Sequence, residues 1–238
     1  MMPTVLDAII ILFIGLGAVL GFKKGVIKSA VTLIGTIIAL IVAYALKNPI
    51  SAIFYNVFPF FNFTGSELEG VTVLNIVIYE VLAFLVAFSL LSIVLKLVIK
   101  VSGLIEGILK ATIVLGIPSK LLGLVFGAIE AVIFLFVILF VFAQFNFSAM
   151  AIRDSQWATG VLNKTPFISG IVEDSFSAVT EIIDLQDKYT KGNKDAYNLE
   201  ALDILLKHEV ITVDSASSLI DNGKLTINNV DDVLNKYR

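Results

Sequence analysis

Long apolar stretches on either side of a short tip containing glycine and lysine most constrain the fold of this chain. Residues 5–20 and 26–46 are almost entirely apolar, and each is about the length that a helix needs to cross a hydrocarbon core of roughly 30 Å. Between them stands Gly21-Phe22-Lys23-Lys24-Gly25, in which two glycines flank two lysines. This pattern predicts a helical hairpin whose tip stays in water while its arms stay in lipid.

The composition of the chain is that of a membrane protein, and it excludes several kinds of site. Apolar residues make up 58% of the 238 residues and the mean hydropathy is +0.95, whereas soluble domains have about 45–50% apolar residues. The absence of cysteine excludes disulfides, thiolate metal sites and a cysteine nucleophile. Because His208 is the only histidine, we predict no metal site and no cofactor. The net charge of -3, without a basic stripe, argues against a nucleic-acid partner.

The hydropathy pattern predicts an all-α integral membrane protein with four transmembrane helices, a cytoplasmic-surface amphipathic helix and a small helical C-terminal tail. Asp7 precedes the first apolar run and lysines follow it, which is the reverse of a cleaved signal peptide, so we expect this run to be a retained span. The predicted domains are a four-helix membrane domain at 1–147, with spans at about 5–21, 26–46, 72–96 and 121–143, a membrane-surface and linker segment at 148–198, and a tail module at 199–238.

Breaks within the apolar stretches predict where the helices end. Pro49 is expected to end the second helix, and the aromatic segment 50–70 to lie on the far membrane surface. The segment 104–115 is short and charged on one face, so we expect a surface helix or a re-entrant one, with Pro118 restarting a helix for the fourth span.

The distribution of lysines predicts the orientation of the spans. Lysines cluster in the hairpin and before the fourth span, whereas the loop on the opposite side offers only Lys47. Because cytoplasmic loops carry an excess of basic residues, we expect the lysine loops to be cytoplasmic and both termini to face out.

Small residues at four-residue spacing predict helix-packing faces. Gly17 and Gly21 in the first helix, and Gly123 and Gly127 in the fourth, would let another backbone approach closely, and Gly35 lies on a small-residue side of the second helix. The same spacing is also common in membrane helices where it marks no site.

Carboxylates within the apolar spans are the candidates for chemistry. Glu80 lies in the third span and Glu130 in the fourth, and a charge at mid-bilayer costs about 2.5–3.5 kcal/mol on insertion scales. Without an intramembrane lysine partner these two carboxylates would favour the protonated form and could relay protons. Because each is about two turns from a helix start, snorkelling or a structural role is the alternative. Asp7 lies at the outer end of the first helix, where it suits the helix dipole, and is interpreted as structural.

The tail from Leu199 onward is predicted to form three short helices joined by two similar turns. Residues 208–214 are echoed by 222–228, and each segment ends in a Thr-x-Asp/Asn pattern that is typical of a helix N-cap. Because a module of this size builds only a thin core, we expect it to contact a partner, which would be an extracytoplasmic protein or the cell wall, or to pair with itself in a homo-oligomer.

Several motifs resemble the CvpA (colicin V production protein) family. Leu6-Asp7, the apolar run into the hairpin, and then Gly35 and Ala43 are similar to the start of the family, and residues 120–127 are similar to the motif that opens its fourth span. The likeness covers roughly residues 1–170. The family often has a basic residue and then a glycine where Glu130 and Ala131 stand, and an acidic or amide residue where Ser119 stands. The resemblance implies a bacterial inner-membrane protein linked to bacteriocin production or export and to envelope homeostasis.

Two functional hypotheses follow. The first is a non-enzymatic membrane protein, a scaffold or assembly partner of the CvpA type whose outward tail contacts another protein or the cell wall. The alternative is a small oligomeric transporter or channel that uses Glu80 and Glu130 as a polar path, in which the glycine faces would have to build the oligomer because four spans are few for a monomeric carrier. An enzyme is disfavoured because no nucleophile is paired with a base.

Overall fold

The structure, a computed structural model, is built from α-helices in the part of the chain that it describes, residues 4–61, 71–101, 104–143, 151–152, 154–165, 169–189 and 193–238. Four of its helices are long and apolar enough to cross a membrane, which confirms the predicted fold class of an all-helical, multi-pass membrane protein. These candidate spans are Val5–Lys24, Val26–Val57, Leu74–Lys100 and Ile117–Ala143.

The described helices are α1 (Val5–Lys24), α2 (Val26–Val57), α3 (Leu74–Val101), α4 (Leu104–Ala143), α5 (Gln156–Lys164), α6 (Ser169–Tyr189), α7 (Lys194–Lys207), α8 (Val213–Asp221) and α9 (Val230–Tyr237). The chain forms two compact units. The first contains Met1–Tyr44 and Phe88–Gly170, and the second contains Ala45–Ala87 and Ile171–Arg238.

The predicted hairpin is present in the first unit, but its turn is tighter than expected. Helix α1 continues through Lys23 and Lys24, and Gly25 alone makes the turn, with a φ of 76° that favours glycine. Gly21, which was predicted to flank the tip, is instead a buried residue of α1 whose carbonyl accepts a bond from the Gly25 N–H. The tip between the two helices is therefore a single residue.

The two prolines that were predicted to end or restart helices lie inside helices. Helix α2 passes through Pro49 and ends at Val57, and α4 runs without a break from Leu104 through Pro118. Backbone groups that a proline leaves unbonded cannot bond to water inside lipid, so neighbouring helices and side chains satisfy them and the helix continues. The surface position predicted for 104–115 stays a prediction, since the side chains of this segment lie outside those that the structure describes.

The tail helices share one hydrophobic core with the membrane-helix ends of the second unit. Buried tail side chains such as Leu202, Leu205 and Leu225 belong to the same cluster as Tyr55 at the end of α2 and Ile76 at the start of α3. The tail therefore does not depend on the thin core of a forty-residue module. In this core Thr212 caps α8 as its Thr-x-Asp pattern predicts, but α9 begins after Asn229, not after Thr226.

Ion pairs of the tail predict how its stability depends on pH. Partial burial opposes the ionised form of Glu181, but hydrogen bonds from His208 and Lys207 outweigh it and lower the pKa of this carboxyl. Hydrogen bonds from Tyr189 and Lys188 likewise lower the pKa of Glu200. Because both pKa values fall below those of the unfolded chain, this stabilisation is complete above the unfolded value and is lost as pH falls through the folded one.

We therefore expect the tail to melt at a lower temperature at pH 4 than at pH 7, with a smaller difference between the two in the Glu181→Gln variant. Circular dichroism of the purified protein measures both temperatures. The control is Glu209→Gln, because Glu209 is exposed, and an equal flattening of its pH dependence would contradict the role of Glu181.

Candidate functional site

A buried polar site of the second unit surrounds Glu80 of α3. Lys47, Ser51 and Tyr55 stand four residues apart on α2, so their side chains lie on one face of that helix. The Lys47 ammonium lies 3.2 Å from Glu80 Oε2, and the hydroxyls of Ser51 and Tyr55 donate to Oε1 at 2.5 and 2.7 Å. The side chains of Lys47 and Glu80 are only 7% and 5% exposed. Each oxygen of the carboxylate therefore has a partner, and its charge is compensated where water cannot reach it.

Lys47 also connects this site to the tail. Its ammonium donates to the carbonyl oxygen of Val210 at 3.2 Å, in the turn between α7 and α8. The turn between α8 and α9 makes a second connection, because the ammonium of Lys224 donates to the carbonyl oxygens of Tyr55 and Phe58, the latter at 3.1 Å. A cation at these carbonyls also suits the negative end of the α2 dipole. Both similar turns of the tail thus bond to the C-terminal half of α2.

Glu130 of α4 occupies a second polar site, in the first unit. Its Oε2 lies 3.4 Å from the Lys24 ammonium and accepts a hydrogen bond from the Thr32 hydroxyl at 3.2 Å. Its side chain is 15% exposed. The assumption that Glu80 and Glu130 lack lysine partners is therefore wrong for both. Lys24 reaches Glu130 from the last turn of α1, and Lys47 reaches Glu80 from within α2.

The glycines of α1 and α4 bring the backbones of these two helices close together. A Cβ built on Gly21 would meet Gly123 and Gly127, and one built on Gly17 would meet Gly127 and Ala131. Gly35 of α2 lies against the side chain of Leu95 in α3. These glycines lie against neighbouring helices of the same chain, whereas the transporter hypothesis needs them to build an oligomer.

Asp7 belongs to a cap at the start of α1. Thr4 and Asp7 form a reciprocal capping box, with the Asp7 carboxylate accepting from the Thr4 N–H at 2.8 Å. Its other oxygen accepts from the Ser155 hydroxyl at 2.5 Å and from the Trp157 N–H at 3.1 Å, at the start of α5. Asp7 thus has the structural position that the sequence predicts, and it also ties α5 to α1.

Within the first unit, Asp7 and Glu130 have separate sites with different partners. Glu80 lies in the second unit, whereas Asp7, Glu130 and the exposed Lys23 lie in the first. Within the described residues, no group of three or more histidine, aspartate or glutamate side chains is placed to hold a metal ion.

A family model described as Colicin V production protein matches residues 6–166 of this chain. The chain belongs to the colicin V production protein family. Comparisons with curated proteins and with solved structures gave no match.

The part of the chain that matches the colicin V production family includes the three candidate carboxylates, Asp7, Glu80 and Glu130, and both glycine pairs, whereas α6 and the later helices lie beyond it. The resemblance leads one to expect a basic residue and then a glycine at positions 130 and 131. In this chain the Glu130 carboxylate accepts a hydrogen bond from the Lys24 ammonium, and the Ala131 side chain lies against Gly17. The residues that the sequence interpretation missed are the partners: Lys47, Ser51 and Tyr55 around Glu80, Thr32 at Glu130, and Ser155 at Asp7.

Proposed function

We propose that this member of the colicin V production family is a non-enzymatic scaffold or assembly partner in the production or export of a colicin V-like bacteriocin, and in envelope homeostasis. The observation that best supports this role is the joint core of the tail and the ends of α2 and α3, fastened by Lys47 and Lys224. A tail that is held by buried contacts presents a fixed surface, and a fixed surface loses less conformational entropy when it binds a partner.

The proposed location is the inner membrane of a bacterium, with the lysine hairpin in the cytoplasm and both termini outside. Lys23, Lys24 and Lys28 at the hairpin and Lys120 in α4 support this orientation, because basic residues near span ends remain on the cytoplasmic side. The tail, bonded to the C-terminal half of α2, would then be extracytoplasmic.

A small oligomeric transporter or channel is the alternative function. The contacts of Glu80 and Glu130 weigh against it, because each carboxylate is already occupied by a lysine and by hydroxyl groups of the same chain. The use of the glycine faces inside one chain also weighs against it, because the transporter hypothesis relies on those faces to build an oligomer.

Single cysteines test the orientation cleanly because the chain has none of its own. In intact cells a membrane-impermeant maleimide is expected to label an Asp232→Cys variant, at an exposed position of α9, and to label Lys23→Cys only after the cells are permeabilised. The opposite pattern would contradict the proposed orientation.

Crosslinking and flux then distinguish the two functions. The crosslinking uses bacteriocin-producing cells whose own family member is replaced by this chain. With a photoreactive residue at Asp221 or Asp232, we expect a discrete crosslinked protein, and no such product from the membrane-exposed position Leu12.

Proteoliposomes should show no proton flux for the wild type, Glu80→Gln or Glu130→Gln. A flux that either substitution abolishes would favour the transporter, and a tail without any crosslinked partner would contradict the scaffold.

A further inference from the structure

Four lysines lie at one end of the first unit. Lys23, Lys24 and Lys28 belong to the hairpin, and the Ser119 hydroxyl, which accepts from the Val26 N–H at 3.2 Å, brings the start of the α4 span beside it. The next residue, Lys120, has its ammonium 5.8 Å from the centre of the Phe22 ring. Lys23 and Lys120 are exposed.

The cluster carries excess positive charge. Among the described ion pairs of this unit, Glu130 is the acidic partner at the cluster, and its 3.4 Å contact with Lys24 compensates one charge of the four. Three lysine charges are left to attract an anion at the level where lipid headgroups lie.

A groove between α1 and α4 begins at the same lysine. It has a volume of about 270 Å³ and is polar only at the Lys24–Glu130 end. Gly17, Gly127 and Ala131 have no bulky side chains to fill it, and large apolar residues complete its walls. These are Phe13, Leu16, Leu20 and Phe134.

The dimensions and charge of the groove suit one kind of molecule. From Lys24 back to Phe13 the groove follows α1 for eleven helical rises, which is about 16 Å. An amphiphile with one negatively charged head and an extended apolar chain matches both the lysine end and the apolar walls. We propose that the α1–α4 groove binds an anionic phospholipid, with its phosphate among the hairpin lysines and Lys120 and one acyl chain along Leu16 and Leu20.

Fluorescence quenching by brominated lipids tests the site. The full-length protein is prepared with Trp157→Phe, which removes its only tryptophan, and Leu16→Trp as a reporter in the groove. A matched reporter is Leu12→Trp, which is exposed on α1 but does not line the groove. Each is placed in vesicles of equal parts phosphatidylglycerol and phosphatidylcholine, with one or the other lipid brominated.

At Leu16→Trp, brominated phosphatidylglycerol is expected to bind about tenfold more strongly than brominated phosphatidylcholine, since each lysine near the surface contributes about fivefold before screening. At Leu12→Trp, the two brominated lipids should bind equally, so the ratio of their affinities should be near one. The double substitution Lys23→Gln with Lys120→Gln should bring the groove ratio close to one, whereas Lys96→Gln with Lys100→Gln, exposed lysines of α3, should leave it unchanged.

Three results would overturn the proposal: equal quenching by the two lipids at the groove, the same preference at both reporters, or a preference that survives loss of Lys23 and Lys120. The first two need no lysine substitution, so a variant that folds poorly does not leave the question open.

Discussion

The Gly21→Ala variant is expected to lose about 3 kcal/mol or more of the free energy of unfolding of the membrane domain. The new Cβ would lie 2.7 Å from the Cα and 2.8 Å from the N of Gly127, and it would also clash with the Gly123 carbonyl oxygen. Overpacking costs about 1–3 kcal/mol where side chains can shift. Here the opposing atoms are backbone, so α1 can relieve the clash only by moving away from α4.

Gly15 of the same helix provides the matched control for Gly21→Ala. A Cβ on Gly15 meets nothing within 4 Å, and alanine favours a helix over glycine by about 0.5–1 kcal/mol. Gly15→Ala should therefore be neutral or slightly stabilising. Unfolding in mixed micelles with increasing sodium dodecyl sulfate measures both free energies. If Gly21→Ala unfolds at the same detergent fraction as Gly15→Ala, the close α1–α4 contact does not exist in the protein.

The membrane spans and the hairpin could be predicted because their cause is local. A hydrocarbon core demands long apolar helices, and a stretch such as residues 26–46 meets that demand from its own residues. The end of α2 could not be predicted in this way, since proline normally ends a helix but is tolerated where the surroundings hold the backbone.

The partners of Glu80 could not be recognised while α2 was predicted to end at Pro49. Lys47, Ser51 and Tyr55 show the four-residue spacing of one helix face only if α2 continues through Pro49. The pairing itself joins residues 33 positions apart, and the pair of Lys24 with Glu130 joins residues 106 apart. No local pattern links such residues, although the presence of both carboxylates and lysines near the span ends was a signal that they could pair.

The stability of the tail also depends on contacts between residues that are far apart in the sequence. Its short helices follow from local caps such as Thr212, but its stability comes from a core shared with Tyr55 and Ile76, far away in the sequence. Size alone predicted a thin core that needs an external partner. In the structure, the surface that completes the tail's core belongs to α2 and α3 of the same chain.

Loss of the Lys47 ammonium in Lys47→Met is expected to lower the free energy of unfolding by about 3–5 kcal/mol. Breaking a buried ion pair by removing one partner leaves an uncompensated charge, and this cost is far larger than the net worth of the pair. Here the substitution leaves Glu80 with hydroxyl donors alone and also leaves the Val210 carbonyl without its ammonium donor. The loss should appear both in detergent unfolding and as faster amide hydrogen exchange in the turn between α7 and α8.

A pair of the same residue types on the tail surface provides the control for Lys47→Met. Lys188 lies 2.9 Å from Glu200, closer than Lys47 to Glu80, but the two side chains are 57% and 38% exposed. Exposed pairs contribute about 0–1 kcal/mol, so Lys188→Met should have little effect despite its shorter distance. Adding Glu80→Gln to Lys47→Met removes the unpaired charge while keeping an acceptor for Ser51 and Tyr55, and should recover a large part of the loss. If the double variant is no more stable than Lys47→Met, lost packing and not the buried charge explains the effect. If Lys47→Met and Lys188→Met lower the free energy of unfolding equally, Glu80 is not buried with a lysine at all.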